Sequence, residues 1–175
     1  MQDNILVLFS GLPGTGKTAL AQQVARELRI PLFAKDRIQS NLRVQGLADR
    51  KTADGYYLMF DLADEQLALG VGVVLDAVFP MQEFRSVAYN IAVRHGARFC
   101  PIHCICSDER VWQERMQDRK RYVPNWTPVG WSEVKRIQAV FEPWEPVSVL
   151  MVDAVNTLER NLELVLSWVR DGEHA

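Results

Sequence analysis

Apolar residues fall along this chain in two alternating patterns, short continuous runs and longer stretches spaced by three and four. Ile5-Leu6-Val7-Leu8-Phe9, Val71 to Leu75, Phe99 to Cys106 and Val147 to Val152 are runs that predict strands buried on both faces. Pro31-Leu32-Phe33-Ala34 is a shorter strand, and its proline suits a sheet edge or a first strand position. Between the runs the period changes to 3.6. Leu20, Ala21, Val24, Ala25 and Leu28 mark one helix, and Asp36 to Arg43 a short one. Ala53 to Leu69 is longer, with Leu58, Leu62 and Leu69 on one face. Phe84, Val87, Ala88, Ile91 and Ala92 mark the next, closed by His95-Gly96 in the manner of a C-terminal glycine cap. Ser107 is expected to cap a helix carrying Asp108 and Glu109 in its first turn, where negative charge is favoured. A helix around 132–141 follows a Pro- and Trp-rich loop at 122–131. A last helix carries Leu158, Leu162, Val165, Leu166 and Val169, and Asn156 with Glu159 offers it a capping box. Five strands alternating with helices predict an α/β domain with a parallel sheet covered on both faces, spanning residues 1–175 as one unit.

The turn after the first run carries the most specific chemistry. Gly11 to Thr18 reads G-L-P-G-T-G-K-T, the P-loop spacing of Gly, four residues, then Gly-Lys-Thr, set between a strand and a helix as that motif requires. Gly11, Gly14 and Gly16 let successive backbone N–H groups turn inward as a nest for phosphate oxygens. Pro13, Thr15 and Ala19 complete the expected nucleotide-contacting stretch, and the helix N-terminus adds anion affinity. Lys17 is expected to reach the β- and γ-phosphates and to face solvent in the empty site. The Thr18 hydroxyl is expected on Mg²⁺.

Other polar residues gain meaning from their place beside that loop. In a parallel α/β sheet, ligands sit at the carboxyl ends of strands. Asp76 closes V-V-L-D, a Walker B pattern whose carboxylate helps hold Mg²⁺. Asp36, after the second strand, admits two readings: a base toward an acceptor hydroxyl, or a helix N-cap. Arg115 and Arg119 lie four apart and share a helical face, with Trp112 and Met116 in a neighbouring row and Lys120 and Arg121 beyond. That positive face suits closure over phosphates; a solvated surface is the plain alternative. Tyr56, Tyr57 and Phe60 read as a core stripe or as the wall of an acceptor pocket. Trp126 and Trp131 read as ligand-stacking groups or as loop anchors. Cys100, Cys104 and Cys106 alternate with His103 across a predicted strand, which favours a buried apolar face over four convergent metal ligands.

Taken in order, these segments resemble the small P-loop kinases that include zeta-toxin-like kinases, gluconate kinase, chloramphenicol phosphotransferase and the kinase domain of polynucleotide kinase. The resemblance spans nearly the whole chain and rests on G-L-P-G-T-G-K-T, K-D-R, L-D-A-V-F with Arg85, E-R-M-Q-D-R and the closing V-D-A. It implies a three-layer P-loop NTPase sandwich with sheet order 2-3-1-4-5 and a lid at about 108–131. It lends Asp36 the role of base, Arg115 and Arg119 that of lid arginines, and Arg37 and Arg85 a place near the acceptor. It also puts adenine near Asp153 to Asn156. No Asn-Lys-x-Asp motif for guanine occurs, so ATP with Mg²⁺ is the expected nucleotide.

Charge narrows the acceptor. The net charge of −2 provides no basic field for nucleic acid or an anionic membrane. Gln39 also stands where kinases of nucleic-acid ends often carry an arginine. The expected activity is transfer of the γ-phosphate of ATP to a small polar hydroxyl acceptor. The alternatives are a nucleotide-dependent switch or ATPase acting through a partner, and a polynucleotide 5′-hydroxyl kinase. No secretion-signal pattern or spanning apolar stretch is read in the sequence, so a cytoplasmic setting is expected.

Overall fold

A computed structural model describes residues 4–48, 52–117, 129–145 and 148–171 of the chain. In chain order the elements are β1 (Ile5–Ser10), α1 (Lys17–Leu28), β2 (Leu32–Ala34), α2 (Lys35–Val44), α3 (Asp54–Ala68) and β3 (Val73–Asp76). They continue with α4 (Gln82–Arg94), β4 (Arg98–Ile105), α5 (Glu109–Gln117), α6 (Trp131–Ala139), β5 (Leu150–Asp153) and α7 (Leu158–Asp171). The strands form one parallel sheet in the order β2-β3-β1-β4-β5, as expected, with β2 at an edge.

The period of two along the strands divides the core into two layers. Ile5, Val7 and Phe9 join Cys100, Ile102 and Cys104 on the face covered by Leu20, Val24, Val165 and Val169 of α1 and α7. Leu6, Leu8, Val73 and Leu75 point the other way, against Met59, Ala63, Ala88 and Ile91 of α3 and α4. Cys100 and Cys104 therefore serve as small apolar groups on one face of β4, whereas Cys106, just past the strand, is buried in a separate cluster with Trp112, Val134 and Ala154. His103 points to the opposite side and pairs with Ser10.

Three local expectations are corrected. On α3 the buried stripe is Tyr56, Met59, Phe60, Ala63 and Leu67, whereas Leu58, Leu62 and Leu69 are exposed. The cap of α5 is Asp108, whose Oδ1 accepts the N–H groups of Arg110 and Val111; the Ser107 N–H goes instead to Asp153. At α7 the Thr157 hydroxyl accepts the Arg160 N–H, one residue past the expected Asn156. At the end of α4, Gly96 takes a left-handed φ of 60° and closes the helix as expected. No described helix is long and apolar enough to cross a membrane.

Candidate functional site

The phosphate-type loop leaves β1 at the centre of the sheet, and close approach calls for glycine at positions 11 and 14. Gly11 has φ 138°, and a Cβ there would lie 2.3 Å from the Cys104 carbonyl oxygen. Gly14 has φ 89°, and its Cβ would meet Met116 Sδ at 2.6 Å and Trp112 Nε1 at 2.8 Å. Gly16, at φ 75°, is the residue from which α1 starts. The Thr15 N–H and hydroxyl both donate to the Leu12 carbonyl, at 3.4 and 2.9 Å. Lys17 Nζ donates to the same oxygen at 3.4 Å. Lys17 is only 3% exposed, which corrects the expectation of a solvent-facing lysine. The tightly wound loop covers its stem, and a loop carbonyl accepts a hydrogen bond from its ammonium group. Thr18 is half-buried and Ala19 exposed in the first turn of α1.

Register brings the two acids to the same end of the sheet. Asp76 lies opposite Phe9 on one side and Ala34 on the other, at the carboxyl end of β3. Ala34 is the N-cap of α2, so Asp36 stands in the first turn and is not the cap. The Asp36 carboxylate is half-buried, with Lys35 Nζ 3.9 Å away. Arg37 is exposed beside it. Tyr56 of α3 reaches into this corner: Lys35 Nζ sits 5.4 Å from its ring, and its hydroxyl accepts the Phe79 N–H at 3.0 Å. Burial pushes the Tyr56 phenol up, and the nearby charges of Asp36 and Asp76 push it further against the Phe79 hydrogen bond. Tyr56 and Phe60 are core residues, whereas Tyr57 is 57% exposed.

The Thr18 hydroxyl, in the first turn of α1, and the Asp76 carboxylate, at the end of β3, are two oxygen donors of hard character. That donor set fits Mg²⁺.

Arg85 is turned inward from α4 and is 1% exposed. Its Nη2 donates to the carbonyls of Glu142 at 2.9 Å and Pro143 at 2.8 Å, and its guanidinium packs on the rings of Trp144 and Phe141. Burial lowers its pKa, with Glu142 opposing. Through Nη2, Arg85 grips the segment 141–145 that leads from α6 toward β5. Gln82 and the Pro80 carbonyl hold the same segment. Beneath it, His103 Nδ1 lies 2.8 Å from Ser10 Oγ, and its ring is 5.0 Å from that of Phe141. Burial, aided by the charges of Arg85 and Lys17, pushes its pKa down to about 4.

α5 rests on the loop through its inward row. Trp112 Nε1 donates to the Pro13 carbonyl at 2.8 Å, and Met116 packs nearby. Trp131, at the start of α6, stands edge-on to Trp112 at 5.0 Å, which places it as an anchor. Arg115 is exposed on α5, and its charge acts on Cys106 and Asp153. Partial burial works against ionisation of Asp153, but hydrogen bonds from Ser107 and Val155 outweigh it, and Arg115 adds to them, holding its carboxyl below the usual range. Arg119, Lys120, Arg121 and Trp126 lie outside the described residues.

A family model described as an AAA domain matches residues 6–144. No curated protein matches the chain. Among solved structures, a Chloroflexus aurantiacus protein is similar at 23% identity and TM-score 0.76, over 97% of this chain and 98% of that one. A gluconokinase from Sinorhizobium meliloti is similar at 20% identity and TM-score 0.69, over 97% and 94%. The Mycobacterium tuberculosis APS kinase, in complex with AMPPNP and APS, is similar at 16% identity and TM-score 0.66, over 95% and 98%. At these identities the likeness is one of fold.

Proposed function

The chain belongs to the AAA-domain family, and from that premise we propose that it is a kinase that moves the γ-phosphate of ATP to a hydroxyl of a small polar acceptor. The observation that carries this reading is the placement of Asp36, in the first turn of the helix that follows β2, beside the strand whose end holds Asp76. A nucleotide switch has no need of a second carboxylate there; a kinase needs one to orient and deprotonate an alcohol. The gluconokinase and APS kinase among the structural relatives support a small acceptor on this fold.

In the proposed reaction the loop N–H groups and Lys17 bind the β- and γ-phosphates. Thr18 and Asp76 would hold Mg²⁺, which would supply charge neutralisation on those oxygens. Asp36 takes the proton of the acceptor hydroxyl as its oxygen bonds to the γ-phosphorus. The bond from that phosphorus to the bridging oxygen breaks, and ADP leaves. Arg115 and Arg119 stabilise charge on the transferring oxygens. Arg37, exposed beside Asp36, is a basic group open to an acceptor, and Arg85 shapes the site through the segment it grips.

γ-Labelled ATP offered with sugars, aldonates, nucleosides, aminoalcohols and 5′-hydroxyl oligonucleotides tests the proposal. Label is expected on a small molecule, and Asp36→Asn is expected to bind ATP normally while losing transfer. Label on the oligonucleotide alone overturns the small-acceptor assignment. Label released only as phosphate, with Asp36→Asn fully active, establishes the ATPase reading instead.

A further inference from the structure

Four consecutive residues after Asp76 are each tied to a different part of the molecule. The Ala77 N–H donates to Phe9 of β1 at 3.2 Å, and the Val78 carbonyl accepts the N–H of Gly11, the first loop glycine, at 3.2 Å. The Phe79 N–H donates to the Tyr56 hydroxyl of α3 at 3.0 Å. The Pro80 carbonyl accepts the Glu142 N–H at 2.8 Å. The turn thus joins the phosphate loop, the sheet, α3 and the segment 141–145.

Its conformation is strained at one point. Phe79 has φ 50°, a left-handed conformation that brings Cβ too close to the following carbonyl oxygen and is costly for any residue but glycine. Among the described residues Arg29 is the other non-glycine with positive φ, and it lies at the end of α1, where left-handed caps are common. Phe79 has no such helix end to explain it. Its ring is fully buried and packs against Tyr56 and Phe60. Its own N–H is taken by one phenol oxygen, that of Tyr56. Tyr56 is itself fixed by parallel stacking on Phe84, with ring centres 4.3 Å apart.

We propose that Tyr56 is a positioning residue: by accepting the Phe79 N–H, its hydroxyl holds the 77–80 turn in the kink that aims the Asp76 carboxylate toward the Mg²⁺ position and keeps Gly11 in register. This rests on the nucleotide-site reading of Thr18 and Asp76 and is independent of which acceptor is used. Without the hydroxyl, the buried Phe79 N–H lacks its partner and the left-handed φ its support, so the turn relaxes. Supports of metal ligands typically matter by 10- to 100-fold in metal affinity.

The test is calorimetric titration of ADP at a series of Mg²⁺ concentrations, with hydrogen exchange on the same samples. In the wild type the Phe79 amide is expected to be protected. Tyr56→Phe, which keeps the ring and its stack, is expected to raise the Mg²⁺ concentration for half-maximal ADP affinity about tenfold. Its ADP affinity without Mg²⁺ should change by less than about twofold, and exchange should quicken at 77–80. Met59→Ala, which weakens the packing of α3 but leaves the Tyr56 hydroxyl and its stack on Phe84, is expected to lower the melting temperature without moving the Mg²⁺ requirement. An unchanged Mg²⁺ requirement in Tyr56→Phe, or a Phe79 amide already exchanging freely in the wild type, overturns the proposal while leaving the nucleotide site intact. Wild-type ADP binding that ignores Mg²⁺ overturns the metal-site reading as well.

Discussion

Gly11 and Lys17 stand six residues apart in one loop and are constrained by different forces. Gly11 is fixed by backbone sterics: its φ lies where side chains rarely go, and the atom it would strike is a carbonyl of β4 that cannot swing aside. Gly46 also has positive φ, at 70°, but a Cβ there meets nothing within 4 Å. Gly11→Ala is therefore expected to cost about 2–4 kcal/mol in urea denaturation, and Gly46→Ala only about 1 kcal/mol. Equal losses would show that φ alone matters and the close approach does not. Lys17 is constrained by charge. Its ammonium already lies against the Leu12 carbonyl within the loop, so binding phosphate calls for a short redirection of Nζ. Lys17→Met keeps most of the covered stem and removes the charge. It is expected to weaken ATP·Mg²⁺ binding by more than about tenfold in calorimetry, with a melting temperature near wild type. Unchanged affinity would remove the lysine from the site.

Sequence pattern was most informative where an element's identity depends on its own residues. Apolar runs located the strands, and the P-loop spacing located β1 and α1 around it. Because parallel strands present their carboxyl ends together, the last residues of those runs also located Asp76 and brought Asp36 near it. What sequence concealed depends on contacts between distant segments. Nothing local marks Phe79 as left-handed, since no glycine stands there, and the Ser10–His103 pair and the grip of Arg85 on 141–145 join residues more than fifty apart. The face of α3 was misassigned for a different reason. Leucines suggested the core, but the sheet is covered by an aromatic, Met and Ala stripe that fits closely against Leu6, Leu8 and Leu75, leaving the leucines outward. Met59→Ala is thus expected to lower stability by about 2–4 kcal/mol in urea denaturation, and Leu62→Ala by less than about 1 kcal/mol. The reverse order would mean that α3 packs in solution with its leucines inward.

For the molecule as a whole, the carboxyl end of the sheet is where opposing demands meet. The phosphate loop gathers positive charge there, and 141–145 closes over β1 and β4, shutting a titratable group beneath it. His103 is held among Ser10, Phe141, Arg85 and Lys17, with a pKa near 4 against an ordinary value of 6.5. A folded pKa below the unfolded one means that the unfolded chain binds the extra proton first, between pH 6.5 and 4. The stability gained by keeping His103 neutral is therefore complete above pH 6.5. It is lost as pH falls through that window toward 4. His103→Gln keeps a hydrogen-bonding partner for Ser10 but cannot take a charge. Between pH 6.5 and 4 the wild type is expected to lose several degrees more of melting temperature than this variant, and the two curves should run parallel above pH 7. The difference isolates His103 from the carboxylates, which titrate in both proteins. Parallel curves across the whole range would show that the imidazole takes up its proton without disturbing the cover formed by Phe141 and Arg85.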